Sequence, residues 1–241
     1  MQKILGYIRK AVQDFDLIQK GDKIAVGVSG GKDSLVLLVG LAQMRRFAEF
    51  DYDITAVTID PGFNGVPNNY DAVARLCEKL DVPFSLVHTQ IGEIVFDIRK
   101  EPNPCSLCAN MRRGALHDAA KAAGCNKLAL GHNNDDVIET FIMNLFNEGR
   151  IGCFSPKTHL DRKDITVIRP LVLAPESQVL SSCNRNGFEI VKSVCPADKT
   201  TSRQKTKEFL RDMEHKDKGF KLRMFTALRK SGVDGWGYPD K

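Results

Sequence analysis

The stretch IAVGVSGGKDSLVLL, residues 24–38, is the starting point for the predicted fold. Its apolar first part predicts a buried strand, its glycine-rich middle a tight turn, and its apolar last part a helix. Two adjacent glycines let backbone N–H groups approach an anion closely, and the N-terminus of the helix adds a positive dipole. The spacing matches neither the Walker loop nor the dinucleotide-binding fingerprint. Residues 29–34 therefore predict a phosphate-binding loop of another kind.

Short apolar runs alternate with helical periodicity along the chain, which predicts an α/β fold with an open, doubly wound parallel sheet. Ligands of such sheets bind at the carboxyl ends of the strands. We expect strands over residues 23–28, 52–60, 83–88 and 127–131, and a weaker one over 165–169. We expect helices over residues 2–14, 34–50, 68–80, 106–123 and 135–147. Polar and basic helices follow over 176–186, 201–214 and 217–230. The predicted division is an α/β domain (1–170) and an appended C-terminal helical lobe (171–241).

The composition is that of an ordinary folded protein. Of 241 residues, 42% are hydrophobic and 27% are charged, as in globular domains generally. The longest apolar run, residues 35–42, is far shorter than the roughly 20 residues of a membrane helix. Arg9 and Lys10 interrupt any signal-peptide core. We therefore expect a cytoplasmic protein that has no membrane partner.

Positive charge is concentrated near the C-terminus. Residues 199–230 contain 11 Lys or Arg and 4 Asp or Glu, whereas the whole chain carries a net charge of +5. Such a segment indicates either a surface that binds a polyanion or a solvated helical face. Arg203, Lys207 and Arg211 recur every four residues and therefore share one face of the predicted helix.

A second functional loop is predicted at residues 131–136, GHNNDD, directly after the fourth strand. Adjacent carboxylates such as Asp135 and Asp136 can hold a cation, and one of them can instead cap the following helix. Asp60 ends the second strand and is interpreted either as a turn cap or as a nucleotide contact. His132 is interpreted as a structural histidine.

Seven cysteines occur, an odd number that disfavours a disulfide scaffold. Cys105 and Cys108 are one helical turn apart, a spacing that suits zinc, redox chemistry or a structural role. A zinc site would need a second close pair, which the sequence lacks, so the lone Cys195 after a probable strand becomes the discriminating residue. We interpret Cys77, Cys125 and Cys183 as buried apolar residues, and leave Cys153 unassigned.

The run SGGKDS resembles the pyrophosphate loop of the N-type PP-loop ATPases, a family with a PP-loop or HUP-like sheet that includes tRNA thiolation enzymes and lysidine synthetase. The resemblance implies that ATP is cleaved between its α and β phosphates and that adenylate is transferred to an oxygen. It implies that Lys32 neutralises developing charge, that Asp33 helps to hold Mg²⁺, and that Asp135 acts on substrate or metal. The implied nucleotide-binding residues are Ser29, Gly30, Gly31, Lys32, Asp33, Ser34, Asp60 and Gly131.

Two further stretches, PCSLCANMRRGAL and GCNKLALGHNNDDVIETFIMNLF, are similar to the tRNA 2-thiocytidine synthetases and their 2-thiouridine relatives. In that group, two cysteines of the C-x-x-C motif and one distal cysteine bind a [4Fe-4S] cluster. By position, the implied ligands are Cys105, Cys108 and Cys195. Three ligands leave one iron free to bind sulfide. Arg112, one turn beyond the motif, is implied to polarise the target base or hold the adenylate.

The expected function is therefore an ATP-dependent, iron–sulfur-dependent tRNA sulfurtransferase that 2-thiolates cytidine. Its expected partners are tRNA, ATP, a sulfur donor (a cysteine desulfurase or sulfide) and a second copy of the chain. A PP-loop ligase without a cluster, similar to lysidine synthetase, is the alternative enzyme. A zinc-stabilised nucleotide-binding regulator without catalysis is the alternative from another class of protein.

Overall fold

The computed structural model describes residues 1–100, 104–192, 194–196 and 202–238. Its α-helices are α1 (Gln2–Phe15), α2 (Lys32–Met44), α3 (Asp71–Lys79), α4 (Pro104–Ala122), α5 (Asn134–Asn147), α6 (Glu176–Arg185), α7 (Ser202–Lys216) and α8 (Phe220–Ser231). Its strands are β1 (Lys23–Gly27), β2 (Asp53–Asp60), β3 (Phe84–His88), β4 (Lys127–Ala129), β5 (Lys157–Leu160) and β6 (Ile165–Ile168). None of the helices in these ranges is long and apolar enough to cross a membrane.

The six strands form one sheet in the order β3-β2-β1-β4-β6-β5. All neighbours pair in parallel except β5 and β6, which are antiparallel. The strand order reverses between β1 and β4, and a crevice forms at such a switch point, beyond the carboxyl ends of the strands. The loops that follow β1 and β4 are residues 28–31 and 130–133, so both border this crevice.

Apolar side chains cover both faces of the sheet, as a doubly wound fold requires. One face of β1 presents Ile24 and Val26 to a core that α1, α2 and α6 complete. The opposite face presents Ala25 to a second core, to which α4 contributes Cys108 and Ala120. The helices α2, α4 and α5 each follow a parallel strand, so their N-termini lie at the edge of the sheet where the strands end.

The C-terminal helices pack on this framework in two places. Helix α6 contacts α1 and α2, whereas α7 and α8 contact α5. After α8, the fully buried ring of Trp236 meets Phe15 and Phe225 edge-on, and its Nε1 donates a hydrogen bond to the Phe154 carbonyl oxygen (2.9 Å). The division at residue 170 stays a prediction.

The predicted α/β sheet is confirmed, with five parallel strands where we expected them. Strand β5 was not predicted, because its sequence KTHL is short, mixed in polarity and only partly buried. Helix α2 ends at Met44, six residues before its predicted end. The strand expected before Cys195 was wrong, because the described residues between 187 and 196 form no strand. Thr201, the predicted start of a helix, lies outside the described residues.

Candidate active site

Residues 29–34 comprise the tight turn after β1 and the first residues of α2, which begins at Lys32. The Ser34 hydroxyl donates to the Gly31 carbonyl oxygen (2.9 Å) and accepts a hydrogen bond from the Ser29 backbone N–H (3.2 Å). Gly30 adopts φ +79°, a backbone conformation that residues other than glycine rarely adopt. Ser34, in the first turn of α2, therefore ties the helix N-terminus to the turn at Ser29 and Gly31.

Lys32 and Asp33 occupy the first turn of α2 and connect the loop to its surroundings. The Lys32 ammonium donates to Asp33 Oδ2 (2.8 Å) and lies 3.0 Å from Oε1 of Glu176 at the start of α6. Burial opposes the charged ammonium, but these two carboxylates outweigh it and raise the pKa of Lys32. The other oxygen of Asp33 accepts a hydrogen bond from the Asn133 side chain (2.9 Å). The loop after β1 is therefore linked directly to the loop after β4.

Gly131 lies where these two loops touch. A Cβ atom at this position would lie 3.0 Å from the Asp33 carbonyl carbon and 3.1 Å from the Ser34 nitrogen. Both are backbone atoms, which cannot rotate away as a side chain can. The absence of a side chain at Gly131 therefore permits the close approach of the two loops.

The acidic loop divides its polar groups between helix capping and ion pairing. Asn133 caps α5, because its side chain accepts from the backbone N–H groups of Asp135 and Asp136. Asp136 Oδ2 accepts a hydrogen bond from the Asn133 backbone N–H (2.9 Å), which completes a capping box, and its Oδ1 pairs with Arg203 of α7 (3.1 Å). Asp135 accepts from the Glu176 N–H (2.7 Å) and pairs with Lys221 of α8 (2.8 Å). The N-cap of α5 is Asn133; Asp136 both contributes to capping and pairs with α7, whereas the Asp135 carboxylate is directed to α6 and α8.

Two buried titratable groups lie behind these aspartates. Burial and the neighbouring charge of Asp136 raise the pKa of Glu139 to about 7, although Arg203 opposes the shift. Burial, together with Arg169 and Arg203, lowers the pKa of His132 to about 3. The His132 ring packs against Phe154 at 4.8 Å between centroids, which fits the structural interpretation of this residue.

The sequence prediction placed the basic residues of α7 on one face, and the structure separates them. Arg203 and Lys207 reach the acidic edge of the site, where Lys207 pairs with Glu176 (2.8 Å). Arg211 faces solvent beside Asp212. Arg211, with 74% of its side chain exposed, is therefore the most accessible of the three.

The thiols of Cys105, Cys108 and Cys195 come from two segments that are distant in sequence. Cys105 is exposed and Cys108 is 7% exposed, both in the first turn and a half of α4, where the helix dipole favours negative charge. Cys195 is half-buried and packs against the same apolar cluster as Cys108. Burial raises the pKa of the Cys108 thiol; Arg112 opposes the shift, and Cys195 and Cys105 add to it. Cys105, Cys195 and Arg112 are therefore each close enough to the Cys108 thiol to affect its ionisation.

These residues fit an iron–sulfur cluster in their donor type, since cysteine thiolates are the ligands of such clusters; three of them are one fewer than the usual four. Among the residues that the structure describes, no three His, Cys, Asp or Glu side chains are arranged so that they could hold a metal ion as they stand. The donor type therefore fits a cluster, whereas the positions of the three thiols do not surround a common centre.

The remaining cysteines have packing roles. Cys77, Cys125 and Cys183 are buried, as predicted. Cys153, whose role the sequence did not assign, is also buried. Its Sγ donates to the Val137 carbonyl oxygen (3.4 Å), and burial raises the pKa of its thiol to about 12. It is a packed thiol and does not take part in the site.

Asp60 lies at the end of β2, away from the contacts of the phosphate loop. The side chain is 2% exposed, and its oxygens accept from the backbone N–H groups of Gly62 (3.2 Å) and Asn68 (3.1 Å). His88 Nδ1 lies 3.1 Å from the same carboxylate. Asp60 therefore organises the turn after β2. It also borders a cavity of about 580 Å³ lined by Asp60, Gly62, Gly65, Pro67, His88, Thr89, Gln90, Glu93 and Asp97.

The segment after α6 connects the phosphate loop to the thiols. The Val191 backbone N–H donates to the Gly30 carbonyl oxygen (3.0 Å), and a Cβ on Gly30 would lie 2.6 Å from the Val191 side chain. Cys195 follows four residues later, and four residues of chain span at most about 14 Å. One short segment therefore touches the phosphate loop and supplies the third thiol.

Sequence reasoning missed four residues of this site: Asn133, Glu176, Val191 and Lys221. Asn133 carried a readable signal, because an asparagine three residues before an aspartate at a helix start is a capping pattern. Glu176 follows Pro175 at the start of α6, which marks a helix beginning but not its partner. Val191 and Lys221 carry no local signal, since only the tertiary fold brings them to this edge.

A model of the PP-loop domain matches residues 3–212 of this chain. The match covers the sheet, the loop at 29–34, the acidic loop and all three thiols. The chain therefore belongs to the PP-loop family.

Relatives within this family are similar over most of their length. The chain is 41% identical over 224 residues to the tRNA-cytidine(32) 2-sulfurtransferase of Pelobacter propionicus, which covers 92% of this chain and 82% of that protein. It is 38% identical over 230 residues to the enzyme of the same name from Citrifermentans bemidjiense, with 94% and 89% covered. Within the PP-loop family, the chain groups with these sulfurtransferases.

A solved structure agrees with this grouping. The U34-tRNA thiolase NcsA from Methanococcus maripaludis, determined with its [4Fe-4S] cluster, superposes with a TM-score of 0.76 at 27% identity. The superposition covers 93% of this chain and 76% of that one.

Proposed function

We propose that this protein is an ATP-dependent tRNA sulfurtransferase that replaces the 2-oxygen of a cytidine with sulfur. The single observation that carries the proposal is the segment after α6. It contacts the phosphate loop through Val191 and brings Cys195 to Cys108 four residues later. A nucleotide site and a thiol group are thus held side by side, as a reaction that activates a base and then transfers sulfur to it requires.

The chain's own residues bind and activate ATP. Residues 29–34 and the N-terminus of α2 take the β and γ phosphates, and Lys32 neutralises the charge that develops as pyrophosphate leaves. The base oxygen bonds to the α phosphorus while the bond to pyrophosphate breaks. The oxygen then departs as part of AMP when sulfur bonds to the same carbon. We expect Arg112, whose charge acts on Cys108, to hold the adenylate or to polarise the base.

Cys105, Cys108 and Cys195 would hold a [4Fe-4S] cluster, which supplies an iron site for the sulfur that is transferred. Asp33 and Asp135 would hold Mg²⁺, whose preferred ligands are oxygens. Both carboxylates already accept hydrogen bonds, which orient them within the crevice.

Several finer points belong to the same proposal. We expect Mg²⁺ as the ATP-bound cation, sulfide or a cysteine desulfurase as the sulfur donor, a homodimer in solution and a cytoplasmic location. Cytidine 32 is the expected target, because the relatives are named for this nucleotide. The open face of α7, with Arg211, is expected to contact the RNA backbone.

The test is an anaerobic thiolation assay. The full chain, reconstituted with iron and sulfide, is incubated with ATP, Mg²⁺, sulfide and a tRNA transcript that has cytidine at position 32, as in the relatives' name. Nucleoside mass spectrometry should detect 2-thiocytidine, with one AMP and one pyrophosphate per product. Lys32→Ala should abolish product, whereas Lys79→Ala, an exposed lysine at the end of α3, should not change it.

Two results would contradict the proposal. One is AMP and pyrophosphate formation on adding tRNA with no sulfur in the nucleosides, which would favour the ligase alternative. The other is 2-thiocytidine formation without ATP, which would remove the role of the phosphate loop.

A further inference from the structure

Lys207 of α7 lies at the phosphate loop, although it is 175 residues beyond Lys32 in the chain. Its Nζ is 2.8 Å from Oε1 of Glu176, and the Lys32 Nζ is 3.0 Å from the same oxygen. Lys207 Nζ also lies 2.8 Å from Oε2, so the two ammonium groups bind the same carboxylate and share its Oε1. Glu176 receives hydrogen bonds from both, and its pKa is lowered although burial opposes the shift.

We propose that Lys207 is a second phosphate-binding residue of the ATP site, and that the Glu176 carboxylate occupies the place of a nucleotide phosphate oxygen when no nucleotide is bound. This inference rests on the proposed ATP-binding function of residues 29–34. It adds a binding residue from the C-terminal helical segment to a site that is otherwise built from the strand ends.

The arrangement of charges around the loop favours this assignment. The acidic loop already has a cation for each aspartate, because Asp136 pairs with Arg203 and Asp135 with Lys221. Glu176, in contrast, is shared by the phosphate-loop lysine and Lys207. A phosphate group carries more negative charge than a carboxylate and offers more acceptor oxygens, so it competes well for paired ammonium groups.

The geometry allows the exchange without unfolding. Glu176 is the first residue of α6, and its backbone N–H is held by Asp135 (2.7 Å), so its side chain can rotate while the helix stays in place. Lys207 is 43% exposed, and its long side chain can follow a phosphate over a short distance. ATP binding would therefore replace one bridge from α7 to the core with another that passes through the nucleotide.

The experiment measures binding of α,β-methylene-ATP with Mg²⁺ by isothermal titration calorimetry, using the full chain. This analogue cannot be cleaved between the α and β phosphates, so the measurement reports binding alone. Lys207→Gln should raise the Kd about tenfold, since a charge-assisted contact is lost. Lys207→Arg should recover most of this loss. Lys205→Gln, an exposed lysine of the same helix, is the matched control and should bind as the wild type does.

Glu176→Gln distinguishes a competing carboxylate from a structural ion pair. If Glu176 competes with phosphate, removing its charge should lower the Kd, by about threefold. If the pair only stabilises α7, Glu176→Gln should weaken binding as Lys207→Gln does, and the thermal midpoints of both variants should fall together.

The proposal is overturned if Lys207→Gln binds as tightly as Lys205→Gln, or if Glu176→Gln weakens binding. Those outcomes leave the proposed function intact, because the wild type still binds the analogue. A folded wild type that does not bind the analogue at all would overturn both the inference and the ATP-binding role of the loop.

Discussion

The phosphate loop and the thiol group lie at the same edge of the sheet but are built in different ways. Residues 29–34 and 131–136 follow neighbouring strands, and one hydrogen bond from Asn133 to Asp33 (2.9 Å) joins them. The thiols come from the start of α4 and from Cys195, which an irregular segment returns to the sheet. The phosphate site is thus preformed by local structure, whereas the thiol site depends on long-range closure and, in our proposal, on the cluster itself. The two should therefore respond to mutation independently.

The largest expected effect is on the thiol side. Cys195→Ser removes the ligand that only the tertiary fold supplies, and should lower the iron content of anaerobically reconstituted protein from about four per chain to less than one. Binding of α,β-methylene-ATP should stay unchanged, because Val191 still contacts Gly30. Iron and acid-labile sulfide analysis, with the visible spectrum, measures the first effect, and calorimetry measures the second.

The matched control is Cys125→Ser, which alters a buried thiol of the same apolar cluster. It should keep its iron even if its stability falls. Equal iron in Cys195→Ser and the wild type would contradict the assignment of the third ligand. Zinc in place of iron in both proteins would favour the regulator alternative.

The second prediction concerns the phosphate loop and its contact with Gly131. Gly131→Ala places a Cβ 3.0 Å from the Asp33 carbonyl carbon and 3.1 Å from the Ser34 nitrogen, so the two loops must separate. We expect the Kd for α,β-methylene-ATP to rise about tenfold or more, because the cost of the overlap, about 1–3 kcal/mol, falls on the phosphate loop. Iron content should stay at the wild-type level.

Gly114→Ala is the control for Gly131→Ala. Gly114 lies within α4, and a Cβ there would meet nothing within 4 Å. This variant should bind the analogue normally and be more stable by about 0.5–1 kcal/mol, since alanine favours a helix. Wild-type affinity in Gly131→Ala would show that the two loops need no close contact.

The same contrast explains what the sequence could predict. The phosphate loop, the acidic loop and the five parallel strands were predictable, because a strand, a glycine turn and a helix start are encoded within about a dozen adjacent residues. The C-x-x-C pair was visible for the same reason. Cys195 was the residue expected to decide between the possible roles of the C-x-x-C pair. Only the family resemblance made it a cluster ligand, because no local sequence pattern indicates that it lies near Cys108.

Tertiary contacts determined the rest. The pairing of Glu176 with Lys32 and Lys207 joins α6, α2 and α7, and no periodicity within one helix reports it. The interpretation of Arg203, Lys207 and Arg211 as one basic face followed from helical spacing alone. The carboxylates of α5 and α6 attract the first two toward the site, which spacing cannot indicate. Strand β5 was missed because an edge strand needs little apolar character.

The smallest expected effect concerns the phosphate side, where the buried charge of Glu139 lowers the stability of the folded protein. Burial, together with the charge of Asp136, raises the pKa of Glu139 from its ordinary 4.5 to about 7 in the folded protein. Between these two values the folded state binds more protons than the unfolded state, so stability should fall as pH rises through this window. Above about pH 7 the full cost of the buried charge remains.

Glu139→Gln should remove this cost. We expect its free energy of unfolding to exceed that of the wild type by about 1–3 kcal/mol at pH 8 and to match it near pH 4.5, measured by urea unfolding at both values. Glu148→Gln, at an exposed helix end with 60% of its side chain accessible, is the control and should show no such pH dependence. If Glu139→Gln is less stable than the wild type at pH 8, the 3.8 Å pairing of Glu139 with Arg203 outweighs the burial of its charge. In that case the acidic edge would stabilise the folded protein, and no bound nucleotide would be needed to offset the buried charge of Glu139.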